Sequence, residues 1–328
     1  MTGNEGPMEY LCVKEALSHY DIPEAQAVLL RHNENMTFRV GTEYLLQIHQ
    51  PVEGFRIGHI YEETDRTAVR GTELRFLLYL KERGVTVREP VENRAGELIT
   101  MLDSGVTATV SRWIEGESLD KLELNSEQYR RIGALTAQLH RCARGFRGSP
   151  VIAYDGHQCA CIKKRIQSLE GCDLDPAYFR AMERACDAVG AALEKLRSEF
   201  LTIHADLSLS NILETGDGLA AIDFSLFGVG HPMFDLANLF GNIDGLSARQ
   251  SIVQGYREAG GTVHYGALDA CFVLSILCSV AIHFDRWRGQ DWYERRLNRW
   301  CRESFQPFCA GERLFEDDFY VIHAGDRR

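Results

Sequence analysis

Four residues between Leu201 and Asp223, in LTIHADLSLSNILETGDGLAAID, carry side chains that could do chemistry together: His204, Asp206, Asn211 and Asp223. Leu201-Thr202-Ile203 suits a strand, Gly216-Asp217-Gly218 a reversal, and Leu219 to Ile222 a returning strand that ends at Asp223. The reading is a short hairpin that brings two carboxylates and a carboxamide to one edge. Hard oxygen ligands of this kind suit Mg²⁺, which takes one or two protein ligands and shares the rest of its shell with substrate phosphates. The other Asp is then placed to accept a proton from an attacking hydroxyl. The competing reading is an Asp/Asn-rich turn in an ordinary α+β domain, since both residues favour turns for local reasons.

The elements that must position this stretch fall into two kinds. Up to Trp113 the pattern is mostly strands. After a helix over Met8–His19, strands are expected at Ala25–Leu30, Thr37–Val40 and Tyr44–His49, joined by the polar turn Arg31–Met36 and the tight turn Gly41–Glu43. A polar segment, Pro51–Arg70, leads to an amphipathic helix over Gly71–Arg83, where Leu74, Leu77 and Leu78 recur at helical spacing and Gly84 stops the run. Alternation at Thr86–Val91, Leu98–Leu102 and Ala108–Trp113 completes a sheet of five strands or slightly more. Beyond it the chain reads as helices: Glu127–Arg144 behind an Asn125 or Ser126 cap, Pro176–Arg197, Ser247–Ala259, Tyr265–Arg288 and Trp292–Cys301, with residues 145–160 irregular.

Composition narrows the class. A chain of 328 residues with 45% apolar side chains can bury two cores. A net charge of −11 opposes nucleic acid as a partner, because phosphate backbones need a basic face. The ten cysteines lack paired metal-type spacing, Cys159 and Cys161 being only two apart, and read as free thiols of a cytoplasmic protein. MTGNEGPMEY is a loose tail without the pattern of a signal peptide, and the apolar run Cys271–Phe284 is too short for a bilayer, so no membrane is expected. Glu316-Asp317-Asp318 reads as a solvated acidic run.

H-A-D-L-S-L-S-N followed by I-D-F resembles the catalytic and metal loops of the aminoglycoside phosphotransferase and choline kinase-like family, which has the protein-kinase-like fold. His204, Asp206, Asn211 and Asp223 match its His-x-Asp-x-x-x-x-Asn and following Asp position for position. The resemblance implies an α+β bilobal molecule: an N-terminal antiparallel sheet lobe over residues 1–111, a hinge at 112–118, and a largely helical C-terminal lobe over 119–328. It implies Asp206 as base, His204 as a brace of the catalytic loop, and Asn211 and Asp223 as Mg²⁺ ligands. Gly230-His-Pro-Met-Phe-Asp235-Leu-Ala resembles the segment whose Asp braces that loop from a helix start.

For the nucleotide, ATP or GTP, the resemblance implies Asn35 and Thr37 in the loop from Asn33 to Thr37, and the hinge Trp113-Ile-Glu115-Gly116, where a Gly lets the backbone approach a ligand. It further implies a strand cation paired with a helix Glu. Gln47 stands at the cation's position, and Glu73 matches the Glu, in the first turn of its helix as read from sequence, where the helix dipole also favours a carboxylate.

The implied activity is transfer of the γ-phosphate of ATP or GTP to a hydroxyl of a small molecule, with Mg²⁺. Aminoglycoside, choline, ethanolamine, homoserine, a sugar and a macrolide all remain open as acceptors. The alternative is a catalytically weak or inactive kinase-fold protein that binds nucleotide or acts as a scaffold, which Gln47 favours and the intact Asp206, Asn211 and Asp223 disfavour. A protein kinase is disfavoured because no long activation loop or APE-like segment separates Asp223 from Asp235.

Overall fold

The computed structural model describes residues 7–22, 26–32, 34–52, 66–148, 152–169, 171–172, 174–243 and 245–316. Asn33, the tail 1–6, residues 53–65 of the approach to the first lobe's second helix, and Asp317 and Asp318 lie outside them. An N-terminal sheet stands on a helical C-terminal body, the bilobal α+β architecture expected from the sequence.

The N-terminal lobe opens with α1 (Pro7–Ser18), followed by β1 (Ala27–His32), β2 (Met36–Val40) and β3 (Tyr44–Ile48). Helix α2 (Arg66–Lys81) is followed by β4 (Pro90–Val91), β5 (Thr100–Met101) and β6 (Thr107–Arg112). The antiparallel sheet runs β1-β2-β3-β6-β4, with β5 added on β6. Its register places Thr37 opposite Gln47 and Gln47 opposite Thr109. Because side chains alternate across a pleat, one face presents Met36, Phe38, Val40, Leu46, Ile48, Ala108 and Val110, which pack with Val13, Ala16 and Tyr20 around α1. The opposite face carries Thr37, Gln47, Thr109 and Ser111 toward the second lobe. The sheet therefore spends one apolar face on its own core and turns to the cleft a face that is polar apart from the buried Leu45.

Three sequence expectations need correction here. Helix α2 begins at Arg66, five residues before Gly71, so Glu73 sits well past its first turn and the helix dipole does not account for it. The strands expected over 86–91 and 98–102 shorten to two residues each, because only Pro90–Val91 and Thr100–Met101 find partners on β6. Gly116 does not open the backbone to a ligand. A Cβ there would lie 2.6 Å from the Glu214 carbonyl oxygen, so its lack of a side chain lets the inter-lobe segment lie against the catalytic hairpin. That segment includes β7 (Glu117–Ser118).

The C-terminal lobe contains α3 (Ser126–Ala143), α4 (Gly156–Gln167), α5 (Pro176–Lys195), β8 (Leu201–Ile203), β9 (Ile212–Thr215), β10 (Gly218–Ala221) and β11 (Gly228–Gly230). Then come α6 (Met233–Asn242), α7 (Leu246–Glu258), α8 (Tyr265–Trp287), α9 (Tyr293–Trp300) and, after a π-turn at 301–305, α10 (Gln306–Cys309). Asn125 caps α3 with a reciprocal bond to Gln128. Helix α4 begins inside the stretch 145–160 read as irregular and runs seven residues beyond it; its signal was Asp155, whose carboxylate caps His157 and Gln158 despite the glycine that follows. Strand β8 pairs with β11 rather than joining the β9–β10 hairpin, to which β7 is added. Helix α8 extends the apolar run to 23 residues, long and apolar enough to cross a membrane by length and composition, yet 83% of its most apolar window is buried inside the fold.

Helices α3 and α7 cross at bare backbone. A Cβ on Gly133 would stand 1.9 Å from the Ile252 carbonyl oxygen, and one on Gly255 would stand 1.9 Å from that of Arg130. This contact sets His140 of α3 against Tyr256 of α7, next to the catalytic loop. Neither clash can be relieved by a side-chain rotation. Gly255→Ala should therefore destabilise the protein by roughly 3 kcal/mol, seen as a fall in Tm in thermal denaturation, whereas Gly171→Ala, with open space at its Cβ, should cost only the strain of its positive φ.

Candidate active site

The catalytic loop is built around one buried carboxylate. Asp235, on the first turn of α6 and fully buried, accepts hydrogen bonds from the backbone N–H of His204 (3.1 Å) and of Ala205 (2.7 Å). It also receives His140 Nε2–H at 2.9 Å, while the Tyr256 hydroxyl donates to His140 Nδ1 at 2.9 Å. Burial pushes the Asp235 carboxyl up, but its His140 bond, the two histidines and the Ala205 amide outweigh that and hold it below the ordinary value.

Ala205 needs this support. It is left-handed, with φ of 65°, a conformation that costs a non-glycine residue. Its N–H is held by Asp235, and its C=O accepts from Asn238 Nδ2 at 2.9 Å. Asn238 was not singled out from sequence, although Asp235 and Asn238 lie at i, i+3 and so share one helix face. His204 is buried and faces away from the cleft. Its Nε2–H donates to the Ile222 carbonyl (3.0 Å), its Nδ1 accepts from the Asp206 N–H (3.3 Å), and its ring lies 4.2 Å from that of Phe224. It ties the loop to the end of β10. Burial lowers its pKa, consistent with the neutral tautomer those bonds require.

The loop so held delivers Asp206. Asn211 Nδ2 donates both to the Asp206 backbone carbonyl (2.8 Å) and to its carboxylate (3.0 Å), leaving Asn211 Oδ1 for another partner. Burial, then the negative charge of Asp223, raise the Asp206 pKa to about 7. Asp223 follows directly after the hairpin, where the Ile222 N–H bonds to the Asn211 carbonyl at 2.9 Å. It is the other left-handed non-glycine residue among those described, with φ of 64°. Burial pushes its carboxyl up, but Arg31, bonded at 2.8 Å, and Arg88 bring it below the ordinary value.

The N-terminal face of the cleft is less as expected. Asn35 is buried and committed, its Oδ1 accepting from His49 Nδ1–H at 2.8 Å, while His49 Nε2 contacts Thr109 Oγ1 at 3.1 Å. Asn35 is thus a sheet residue before it is a phosphate contact. Thr37 Oγ1 is buried with no partner and lines the same cavity as Asp206 and Asp223. At the hinge, the Trp113 Nε1–H and Arg39 both bond Glu115 (2.9 and 3.0 Å), and Arg39 stacks over the Trp113 ring at 4.4 Å. Those side chains serve each other. Glu73 pairs not with a strand cation but with Arg70 of its own helix, at 2.8 Å. Burial raises the Glu73 pKa and Arg70 opposes that rise. Gln47 lines a small cavity together with Arg70, Glu73, Arg88 and Asp223. Arg31, Glu34, Arg70 and Arg88 were missed because none lies in the motif, and only the fold brings them to it.

These residues fit a nucleotide and a divalent cation. No group of three or more His, Cys, Asp or Glu that could hold a metal occurs among the described residues. Asn211 Oδ1 and the Asp223 carboxylate form the sparse oxygen set by which Mg²⁺ is held when phosphates complete its shell. The unpartnered Thr37 hydroxyl, buried beside them, is the kind of group that a ligand oxygen satisfies.

Two outcomes follow. The folded protein keeps the Asp206 proton up to about 7, whereas an unfolded Asp releases it near ~3.9. Between those values the unfolded chain ionises first, so ionisation favours unfolding, and below the lower value the effect vanishes. In chelator, Asp206→Asn should therefore melt at a higher temperature than the wild type at pH 8, with the difference disappearing near pH 4. Asn238→Ala should cost about 1 kcal/mol of stability, read as a fall in Tm, because it releases one side of the strained Ala205 peptide.

A family model described as "Phosphotransferase enzyme family" matches residues 27–271. A curated homoserine kinase of Beijerinckia indica subsp. indica is 27% identical over 246 residues, covering 69% of this chain and 67% of that protein. An amicoumacin kinase, solved with AMP-PNP, Ca²⁺ and its antibiotic, superposes with a TM-score of 0.71 at 16% identity, over 91% of this chain and 93% of that one. A microcompartment-associated aminopropanol kinase gives 0.68 at 22% identity, over 92% and 95%. These two share the kinase-like fold, and because the family model spans most of the chain with the catalytic loop inside it, the chain belongs to the phosphotransferase enzyme family.

Proposed function

We propose that the protein transfers the γ-phosphate of ATP or GTP to a hydroxyl of a small molecule, with Mg²⁺ held by Asn211 and Asp223. The observation that carries this reading is Asp206. It is pinned by Asn211, raised to a pKa of about 7 by burial and Asp223, and exposed to the cavity that also holds the unpartnered Thr37 hydroxyl. A carboxylate pinned in this way and open to the cavity can orient an attacking hydroxyl and take its proton late, as the loose transition state of phosphoryl transfer requires. The metal, when bound, would neutralise charge on the phosphates. Asn211 fixes Asp206, Asp235 and Asn238 fix the loop, and His204 joins the loop to the strand that delivers Asp223.

The acceptor side is a cleft of about 790 Å³ that opens from Asp206 past Ser275, Ser279 and His283 to Trp287, Trp292 and Trp300. Beyond Asp206 and Asp223 its carboxylates are Asp120 and Glu303, and Glu303 is bonded by Arg299. A polycationic aminoglycoside would find little surplus negative charge there. Arg296 stacks on Trp300 at 5.3 Å and has no ion pair among the described residues. This combination suits a compact hydroxy compound that carries a carboxylate, the chemistry of the acceptor that names the homoserine kinase relative.

The second reading, a kinase-fold protein that binds nucleotide without turnover, is favoured by one observation, the uncharged Gln47. Turnover separates the two. ADP or GDP release should be followed with homoserine-like, choline-like, aminoglycoside, sugar and macrolide acceptors. Carboxylate-bearing hydroxy compounds should give the highest kcat/KM, and Arg296→Ala should raise their KM about tenfold with little change in kcat. Asp206→Ala should lower turnover by roughly 10²–10⁴, and Asp223→Ala should abolish it. Nucleotide binding with no acceptor turned over would favour the binding protein, and an aminoglycoside as best substrate would overturn the acceptor assignment.

A further inference from the structure

Beside Gln47 a cavity of about 20 Å³ holds an arginine whose nearest opposing charge, Asp223, is already bonded to Arg31. The cavity is lined by Gln47, Arg70, Glu73, Arg88 and Asp223. Arg70 is bonded to Glu73 and Arg31 to Asp223. Arg88 forms no hydrogen bond or ion pair among the described residues, and its Nε is buried without a partner. Arg88 as a whole is half-buried, and leaving its Nε dry and unpaired is costly unless a ligand oxygen completes it.

The backbone fixes where Arg88 points. Ala221 N–H bonds to the Thr86 carbonyl (3.1 Å), and Val87 bridges Ala221 in parallel. Two residues on, Arg112 N–H bonds to the Glu89 carbonyl (2.7 Å), and Pro90 pairs with Ser111. Residues 86–90 therefore stitch the C-terminal hairpin to the N-terminal sheet, and Arg88 lies at the seam, within the field of Asp223 and on the cavity that Gln47 also faces. Burial lowers its pKa, and the positive charge of Arg31 adds to this while Asp223 opposes it. An added anion would relieve the desolvation that dominates.

We propose that Arg88 binds the phosphates of the nucleotide, supplying from the inter-lobe seam the positive charge that the third strand of the sheet, with Gln47, does not. The proposal rests on the phosphotransferase reading above. Gln47, whose amide has no hydrogen-bond partner among the described residues, then donates to the same phosphates as a neutral group. Arg70 neutralises Glu73, so that this buried carboxylate does not repel them. The planar guanidinium offers two parallel N–H groups to phosphate oxygens.

Calorimetry with the full chain tests this without turnover. Affinities of adenosine, AMP and ADP, and of the guanosine series, would be measured for wild type, Arg88→Met, and Arg88→Met combined with Gln47→Lys, each checked for folding by circular dichroism. In the wild type the diphosphate should bind more tightly than the nucleoside. Arg88→Met should cut that gain roughly 10- to 100-fold with nucleoside affinity unchanged, and Gln47→Lys should restore part of it. An unchanged gain in Arg88→Met would overturn the assignment and leave the phosphotransferase reading standing. Equal loss of nucleoside and diphosphate binding would make Arg88 a packing residue and overturn it too. A wild type that prefers no diphosphate over its nucleoside would overturn both.

Discussion

The buried Asp235 carboxylate is the constraint on which the site depends. A charge removed from water survives only where donors surround it, and here two backbone amides and an imidazole do so. Those amides belong to His204 and Ala205, so the solvation of Asp235 and the shape of the catalytic loop are one fact. The left-handed Ala205 is strained, and the bonds on both sides of its peptide outweigh that strain. The support reaches further back, because His140 is oriented by Tyr256, and these two meet only because α3 and α7 cross at glycines. A backbone clash tens of residues from Asp206 in sequence would thus be felt at its carboxylate.

The cleft is organised by charge rather than by apolar packing. The N-terminal sheet turns Thr37, Gln47, Thr109 and Ser111 to it, while its apolar side chains are spent on α1. Across from this polar face stand Asp206 and Asp223, and between them the arginines are distributed with distinct partners: Arg31 on Asp223, Arg70 on Glu73, Arg88 on neither. A single strand lysine would reach both a helix carboxylate and a phosphate from one position. Here the two tasks are separable, since a guanidinium one helical turn away from Glu73 neutralises it locally. That leaves the cation at the seam without an ion pair among the described residues, on the same cavity as the uncharged Gln47.

Much of this was legible in the sequence because it is local. The His204–Asn211 spacing, the turn at Gly216–Gly218 and Asp223 at the strand end lie in one stretch, and backbone geometry alone brings them together. Asp235 was legible for a similar reason, as a carboxylate at a helix start. What escaped was non-local or depended on where an element begins. Arg31 lies 192 residues from Asp223 and meets it only through the packing of the two lobes. Arg88 sits on a segment read as a longer strand, whose true pairing is divided between two sheets. Glu73 was placed in a first turn because Gly71 looked like a boundary. The helix starts at Arg66, which puts Arg70 one turn before Glu73 and makes the i, i+3 pair that sequence reasoning had no reason to draw.

Of the two left-handed non-glycine residues among those described, Ala205 directly precedes Asp206 and the other is Asp223 itself, and both stand where a loop must leave a strand abruptly. A glycine at either position would relax the backbone but would also widen the range of conformations of the loop in the unfolded and folded chain. Holding an alanine and an aspartate there fixes one conformation, at a cost the surrounding bonds offset. For Ala205 the offset comes from Asp235 and Asn238, within one lobe. For Asp223 it comes from Arg31, across the cleft. The first clamp therefore lies wholly within one lobe, while the second joins the two lobes through an ion pair. The backbone before Asp206 thus owes its shape to side chains of its own lobe, whereas that at Asp223 is coupled to a side chain of the other.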